Sequence, residues 1–251
     1  NRILKASKIS LKLFYLLLTI PLRIMKPWLG LLCFTFCSLI YGQKPALEDS
    51  AYLEDQFYFG LTYNALLEKP DAIKQQNLSY GIQTGFVKDI PLNSSRTFAL
   101  GLGLGYATNT YYSNLLVSNE NTGIRYEDSL AEIEGLKRNK LETHTVEFPI
   151  EFRWRNSTPT EFKFWRFYPG IKLGYVFSGR SKLVTQEEKI SFSNDDLRSF
   201  QYGAMLNFGY NTFNLHLYYG LNALFNDDVT LSDGNTLTMK PLRLGIIFYI
   251  L

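Results

Sequence analysis

Cysteine is nearly absent from this chain. Of 251 residues only Cys33 and Cys37 are cysteine, and both fall in the first 42. From Gln43 onward there is no disulfide, thiol nucleophile or thiolate metal site to consider. Histidine is as scarce: His144 and His216 are the two present, with no clustered ligand spacing around them, so neither a structural metal nor any other cofactor is expected. Acidic residues are missing from residues 1–42, which carry Arg2, Lys5, Lys8, Lys12, Arg23 and Lys26. Without those six, 20 basic residues face 23 acidic ones and the formal charge of +3 becomes −3. The basic balance therefore gives no reason to expect a nucleic acid partner. A long apolar run is lacking too, since Trp28 to Ile40 falls short of the ~20 residues a membrane helix needs.

That short run reads instead as part of a secretory signal peptide over residues 25–42. Lys26 is its charged start, Trp28 to Ile40 its apolar core, and Gly42 the small residue before a cut between Gly42 and Gln43. Asn1 is not a start residue, so residues 1–24 read as an upstream extension with Met25 as the start. Leu32 and Phe36, which precede the cysteines, are too large for a lipid-modification site. Residues 43–55 are a polar periplasmic lead-in, and residues 56–251 remain for the folded domain.

What that remainder has is alternation. Leu242, Leu244, Ile246, Phe248 and Ile250 fall on one face of the last segment, opposite Arg243, Gly245, Ile247 and Tyr249, the period of a strand with one apolar face. The pattern predicts eight strands, at about 57–66, 80–88, 97–109, 141–155, 164–178, 199–210, 213–224 and 241–251. Asp89 to Ser95 reads as a turn, and a short helix is expected near Tyr126 to Leu136. Connections after odd strands are longer than those after even ones, the asymmetry of outer-membrane barrels with long loops outside and both termini in the periplasm.

The alternative is a soluble lipocalin-type barrel with the apolar face inward. An eight-stranded barrel has room inside only for side chains to fill, and a face built almost wholly of Phe, Leu, Ile, Tyr and Trp is too bulky for it. The glycine face, with Gly101, Gly103 and Gly105 as its clearest run, fits inside. The prediction is an all-β, eight-stranded antiparallel up-and-down transmembrane β-barrel with a filled lumen. Tyr63, Tyr106, Trp154 and Trp165 suit the interfacial aromatic girdles of such a barrel.

Charges of inward parity are the candidate site. Glu147 and Glu151 lie four apart on one strand with Arg153 beside them, while Lys172 and Arg243 share that parity elsewhere. Paired carboxylates can serve general acid–base chemistry, but a filled lumen denies substrate access. The five therefore read as a structural ion-pair network. His216 is inward. His144 is outward near the outer end of the fourth strand, where some eight-stranded barrels carry a His and Ser of a lipid hydrolase, but His144-Thr145-Val146 has no serine. The glycine run at 101–105 lacks the third glycine and helix of a dinucleotide loop. The acidic loops read as solvated.

Several stretches resemble the PorT (SprT) family: Phe59-Gly60-Leu61-Thr62-Tyr63-Asn64, Gly85 to Asn93 with its Lys-Asp-Ile-Pro-Leu-Asn turn, Ala99 to Tyr106, Glu147-Phe148-Pro149-Ile150-Glu151-Phe152-Arg153-Trp154-Arg155, and Gly170 to Phe177. The resemblance covers about residues 50–251. It implies an outer-membrane β-barrel of Bacteroidota required by the type IX protein secretion system, which exports surface proteases and gliding adhesins. It supplies no catalytic residues. The expected partners are outer-membrane lipid, other type IX envelope proteins and the barrel assembly machinery. A small porin or ligand-binding barrel, and a membrane-face lipid hydrolase, are the alternative functions.

Overall fold

The computed structural model describes residues 55–120, 123–127, 135–156 and 164–250. The signal segment with its Gly42–Gln43 cleavage point lies outside them. Among the described residues the chain forms strands only: β1 (Gln56–Leu67), β2 (Tyr80–Pro91), β3 (Phe98–Tyr112), β4 (Leu116–Glu120), β5 (Gly123–Glu127), β6 (Arg138–Arg155), β7 (Trp165–Val184), β8 (Lys189–Ser193), β9 (Phe200–Tyr210), β10 (Phe213–Gly220) and β11 (Lys240–Ile250).

Eight of these close into a ring, β1-β2-β3-β6-β7-β9-β10-β11, with β11 returning to β1 and β6 paired to β7. Every pairing is antiparallel. This is the predicted eight-stranded barrel. Closure leaves no free strand edge within the ring, which lipid requires because it offers backbone amides no partner. β8 lengthens the hairpin leaving β7, and β4–β5 is a separate two-stranded ribbon.

The register explains the two faces. Phe59 opposes Phe248 and Leu61 opposes Ile246, all outward, while Thr62 opposes Gly245 on the inner face. Around the ring large Phe, Leu, Ile, Tyr and Trp side chains are exposed on the outer wall, the reverse of a soluble barrel. Rings cluster on the outer wall towards the short turns: Phe57 with Phe86 at 5.1 Å, Trp165 with Phe208 at 5.4 Å, and Phe213 with Phe248 at 5.3 Å. Inside, glycine creates the space that long side chains use. A Cβ built on Gly105 would lie 1.9 Å from the Tyr58 hydroxyl oxygen.

Four details depart from the sequence expectation. The expected helix at 126–136 is strand at its start: Tyr126 and Glu127 belong to β5, where Tyr126 opposes Val117. Both of those side chains are buried, and burying that cross-strand pair outweighs helix propensity; residues 128–134 lie outside the described set. The strand expected to reach Leu224 ends at Gly220. Asn222 ends it by accepting from the Tyr202 amide at 3.0 Å and donating to the Phe200 carbonyl at 2.8 Å. β6 and β7 run further past the apolar band than expected, to 18 and 20 residues. Finally Asp89, expected in a turn, is inside β2 and buried.

Candidate functional site

The interior is built in tiers, and the first lies near the short turns. Asp89 on β2 holds two arginines of β6. Arg153 donates to it at 3.1 Å, and Arg155 donates through both terminal nitrogens at 3.0 and 2.9 Å. Arg153 also donates from Nε to Glu151 at 2.8 Å and lies 4.9 Å from the ring centre of Tyr168. Glu151 Oε1 in turn accepts from the Tyr249 hydroxyl and from Asn207 Nδ2, each at 3.2 Å. The Asn207 amide oxygen faces His216 Nδ1, which accounts for the inward histidine as a hydrogen-bonded lumen residue.

The next tier centres on Glu147. It pairs with Lys172 at 2.9 Å and accepts from Arg243 at 3.0 Å. Lys172 also donates to Gln83 at 2.6 Å. The Arg243 guanidinium stands 4.5 Å from the centre of the Tyr218 ring. Among the described buried residues five cations (Arg153, Arg155, Arg166, Lys172, Arg243) share three carboxylates (Asp89, Glu147, Glu151). Aromatic faces lie against three of the cations as well: Tyr168 and Tyr249 for Arg153, Tyr218 for Arg243, Phe164 for Arg166. Cation–π attraction is strongest where water is excluded.

The register makes room for the acids. Glu147 lies between Gly105 on β3 and Gly174 on β7, and Glu151 between Gly101 and Gly170. Each carboxylate thus has a residue without a side chain on either flank, and can lie across the lumen towards strands on the far wall.

Beyond a polar tier with Thr62, Asn64 and Asn109, the long-loop end changes character. Leu66, Tyr111, Leu115, Leu141, Leu224, Phe225, Leu237, Met239 and neighbours form one buried apolar cluster. The segment after β10 supplies most of its lid. Leu224 donates its amide to Met239 at 2.8 Å, and Arg198 donates its amide to Leu224 at 3.0 Å. The Tyr126 ring packs edge-on to Phe225 at 5.4 Å, and its hydroxyl donates to Asn194 and Asp196. Burial pushes that phenol's pKa up, so it remains a donor. The void left among Leu66, Tyr111, Leu115 and Met239 is about 10 Å³, at or below the lower limit for one water. The acidic loop residue Asp196 is therefore part of a cap and not merely solvated.

On the outer wall His144 contacts the Tyr106 hydroxyl through Nδ1 at 2.6 Å, and its Nε2 is 3.6 Å from Glu142. Ser178 opposes it on β7, but both ring nitrogens already face other groups. A shallow groove of about 370 Å³ lined by Phe167, Leu206, Phe208, Leu215 and Leu217 opens on the lipid-facing wall. Among the described residues no three His, Asp or Glu side chains gather as metal ligands.

Of the five inward residues singled out in the sequence, Glu147, Lys172 and Arg243 meet in one tier, and Glu151 and Arg153 in the next. Asp89, Arg155, Gln83, Asn207 and Tyr249 complete these groups and were not singled out. Asp89 was legible in one respect: the alternation of β2 continues through Val87-Lys88-Asp89-Ile90 before the proline.

A closed eight-stranded barrel with a bulky apolar exterior and a packed, charged interior is a membrane-spanning barrel of the outer-membrane kind. The chain belongs to the outer membrane protein beta-barrel domain family, whose model matches residues 41–226. Among solved structures it is similar to Ail, the attachment invasion locus protein of Yersinia pestis, at 14% identity and a TM-score of 0.35, covering 80% of this chain and 100% of that one. It is also similar to a Rhodopseudomonas blastica porin at 9% identity and a TM-score of 0.19, covering 79% and 99%. A comparison with curated proteins finds no match.

Proposed function

We propose that this barrel is a non-enzymatic, non-conducting component or assembly factor of the type IX protein secretion system, working by contact with other envelope proteins. The observation that carries the contact mechanism is the closed interior: two ion-pair tiers and an apolar cap occupy the lumen from end to end. The secretion assignment rests on the Lys88 to Asn93 and Glu147 to Arg155 motifs, which resemble the PorT family. Short turns and both termini face the periplasm and the long loops face outward, a reading supported by the loop asymmetry. The charged tiers then serve as framework, and the lipid-facing wall and outer loops are left to meet partners. The barrel assembly machinery inserts the chain after signal removal at Gly42–Gln43.

Deleting the gene in its host and following type IX cargo tests the assignment. Cargo should disappear from the cell surface and medium and accumulate within the cell; unchanged secretion would sink it. A small porin is the second reading, and the closed lumen disfavours it. Steady single-channel current from the purified protein in planar bilayers would restore it.

A further inference from the structure

The outward face of β6 reads, from the short turns upward, Trp154, Phe152, Ile150, Phe148, Val146, then His144, Glu142, Lys140 and Arg138. The change from apolar to charged is abrupt and falls at one level of the wall. On β7 the same level carries a bulge: Val176 faces Thr145 and Ser178 faces His144, so Phe177 is an extra residue between them. An extra residue reverses which side chains point out. Below it Ile171, Tyr175 and Phe177 are exposed; above it Gly179 and Ser181 turn inward and are buried while Arg180 is exposed. Without the bulge Arg180 and Lys182 would point into the apolar cap. β8 then adds Lys189, paired with Val184.

Five cations thus share one outward patch: Arg138, Lys140, Arg180, Lys182 and Lys189. Glu142 is the carboxylate among them and is held by Lys140. No described carboxylate is ion-paired with Arg138, Arg180, Lys182 or Lys189, including Glu187 and Glu188 at the hairpin tip. Lys140 lies directly opposite Lys182 and Glu142 directly opposite Arg180 across the β6–β7 ladder; the opposed lysines cost stability that one carboxylate, already held by Lys140, offsets only in part. Lys182, above the lipid-facing band, has its ammonium pKa lowered chiefly by Lys189, with burial, Lys140 and Arg138 adding to it and Glu142 opposing them. The crowding is felt within the patch itself.

We propose that this face of β6–β7–β8 binds the phosphate groups of a phosphorylated glycolipid in the outer leaflet of the outer membrane. The patch starts immediately above the apolar wall on the same strands, so a ligand here has acyl chains along Val146, Tyr175 and Phe177 and an anionic head at the height of Arg180 and Lys182. Phosphate at Arg180, Lys182 and Lys189 would supply the ion pairs that Glu142, held by Lys140, does not make with them. The proposal rests on the reading that the long-loop end faces out.

The test uses the folded full chain in detergent, titrated with diphosphoryl lipid A, the same lipid stripped of phosphate, and phosphatidylglycerol, with bound lipid counted by native mass spectrometry. Diphosphoryl lipid A should be retained and the dephosphorylated form lost. Replacing Arg180, Lys182 and Lys189 together by serine should weaken retention on the order of a hundredfold, from the worth of each basic side chain at an anionic lipid surface. The single variant Arg180→Ser should weaken it about fivefold, while Arg180→Lys retains it. Folding of each variant is checked by its heat-dependent gel mobility. Equal retention of the dephosphorylated lipid, equal retention of phosphatidylglycerol, or an unaffected triple variant overturns the proposal. Asn235→Cys labelled on intact cells by an impermeant maleimide tests orientation separately. Labelling without glycolipid retention refutes the lipid site alone, and absence of labelling refutes the orientation on which it rests.

Discussion

Glu147 has the most to lose from a small change. Glu147→Gln keeps the size of the side chain and removes its charge, leaving Lys172 and Arg243 facing a neutral amide. Glu147 is 1% exposed and its two cations are 3% and 4% exposed, so solvent does not take over the role of the carboxylate. Removing one partner of a buried ion pair costs about 3–5 kcal/mol. Among the described residues the other two lumen carboxylates, Asp89 and Glu151, are engaged by Arg153 and Arg155, so neither replaces Glu147. The reverse change, Lys172→Met, removes one of the two cations on Glu147 and leaves the Glu147–Arg243 pair intact at 3.0 Å. Its main penalty is the Gln83 amide oxygen left without its donor, about 1–3 kcal/mol. Acid removal should therefore cost more than base removal, and the double variant Glu147→Gln/Lys172→Met should be more stable than Glu147→Gln alone. Urea unfolding of the detergent-folded barrel reads this out, followed by the fluorescence of Trp154 and Trp165 and by the heat-dependent gel shift. At roughly 1–3 kcal/mol per molar urea, the midpoint for Glu147→Gln should fall by about 1–5 M. A Lys172→Met variant as unstable as Glu147→Gln, or a double variant worse than either, would refute the idea that Glu147 is the counter-charge its two cations share.

The cap and the glycine face yield two further expectations. Phe225→Ala empties a fully buried position against Tyr126 and should cost about 3–5 kcal/mol; limited proteolysis should then cut the long-loop end while the lipid-facing strands stay protected, and a cut pattern identical to that of the parent would show that the cap does not depend on this packing. Gly105→Ala brings a methyl against the Tyr58 hydroxyl and should cost about 1–3 kcal/mol as an overpacked site. Tyr58→Phe should recover part of that loss in the same urea assay, and an additive double variant would mean that Tyr58 is not what Gly105 makes room for.

The barrel strands were legible because lipid on one side and a packed lumen on the other force period-two alternation over ten or more residues. The site was legible in part for a related reason. Glu147 and Glu151 are four apart, and so are Gly101 and Gly105 and Gly170 and Gly174; antiparallel pairing sets each acid between two glycines, so equal spacing in three separate segments already encodes one tiered interior. The bulge at Phe177 left no comparable trace, since one extra residue inside an unbroken strand changes no composition. The cap left little either. Leu224, Phe225, Val229, Leu231, Leu237 and Met239 follow no single period because they descend from an irregular loop, and the Asn and Asp among them dominate the local signal.

Asp89 shows why the two most specific motifs belong together. Lys88 to Asn93 contributes one carboxylate, Glu147 to Arg155 contributes two arginines, and these meet in a tier closed to water. Without the first motif Arg155 would lose the carboxylate it holds through both terminal nitrogens, and without the second Asp89 would lose both arginines described against it, a costly loss for a buried charge. That mutual dependence supports the proposal that these residues are framework, and on that proposal partners are met on surfaces the tiers do not use. The β6–β7–β8 face is such a surface: the bulge that turns Gly179 and Ser181 into the cap also directs Arg180 and Lys182 outward, to the height at which the proposed glycolipid would present its phosphates.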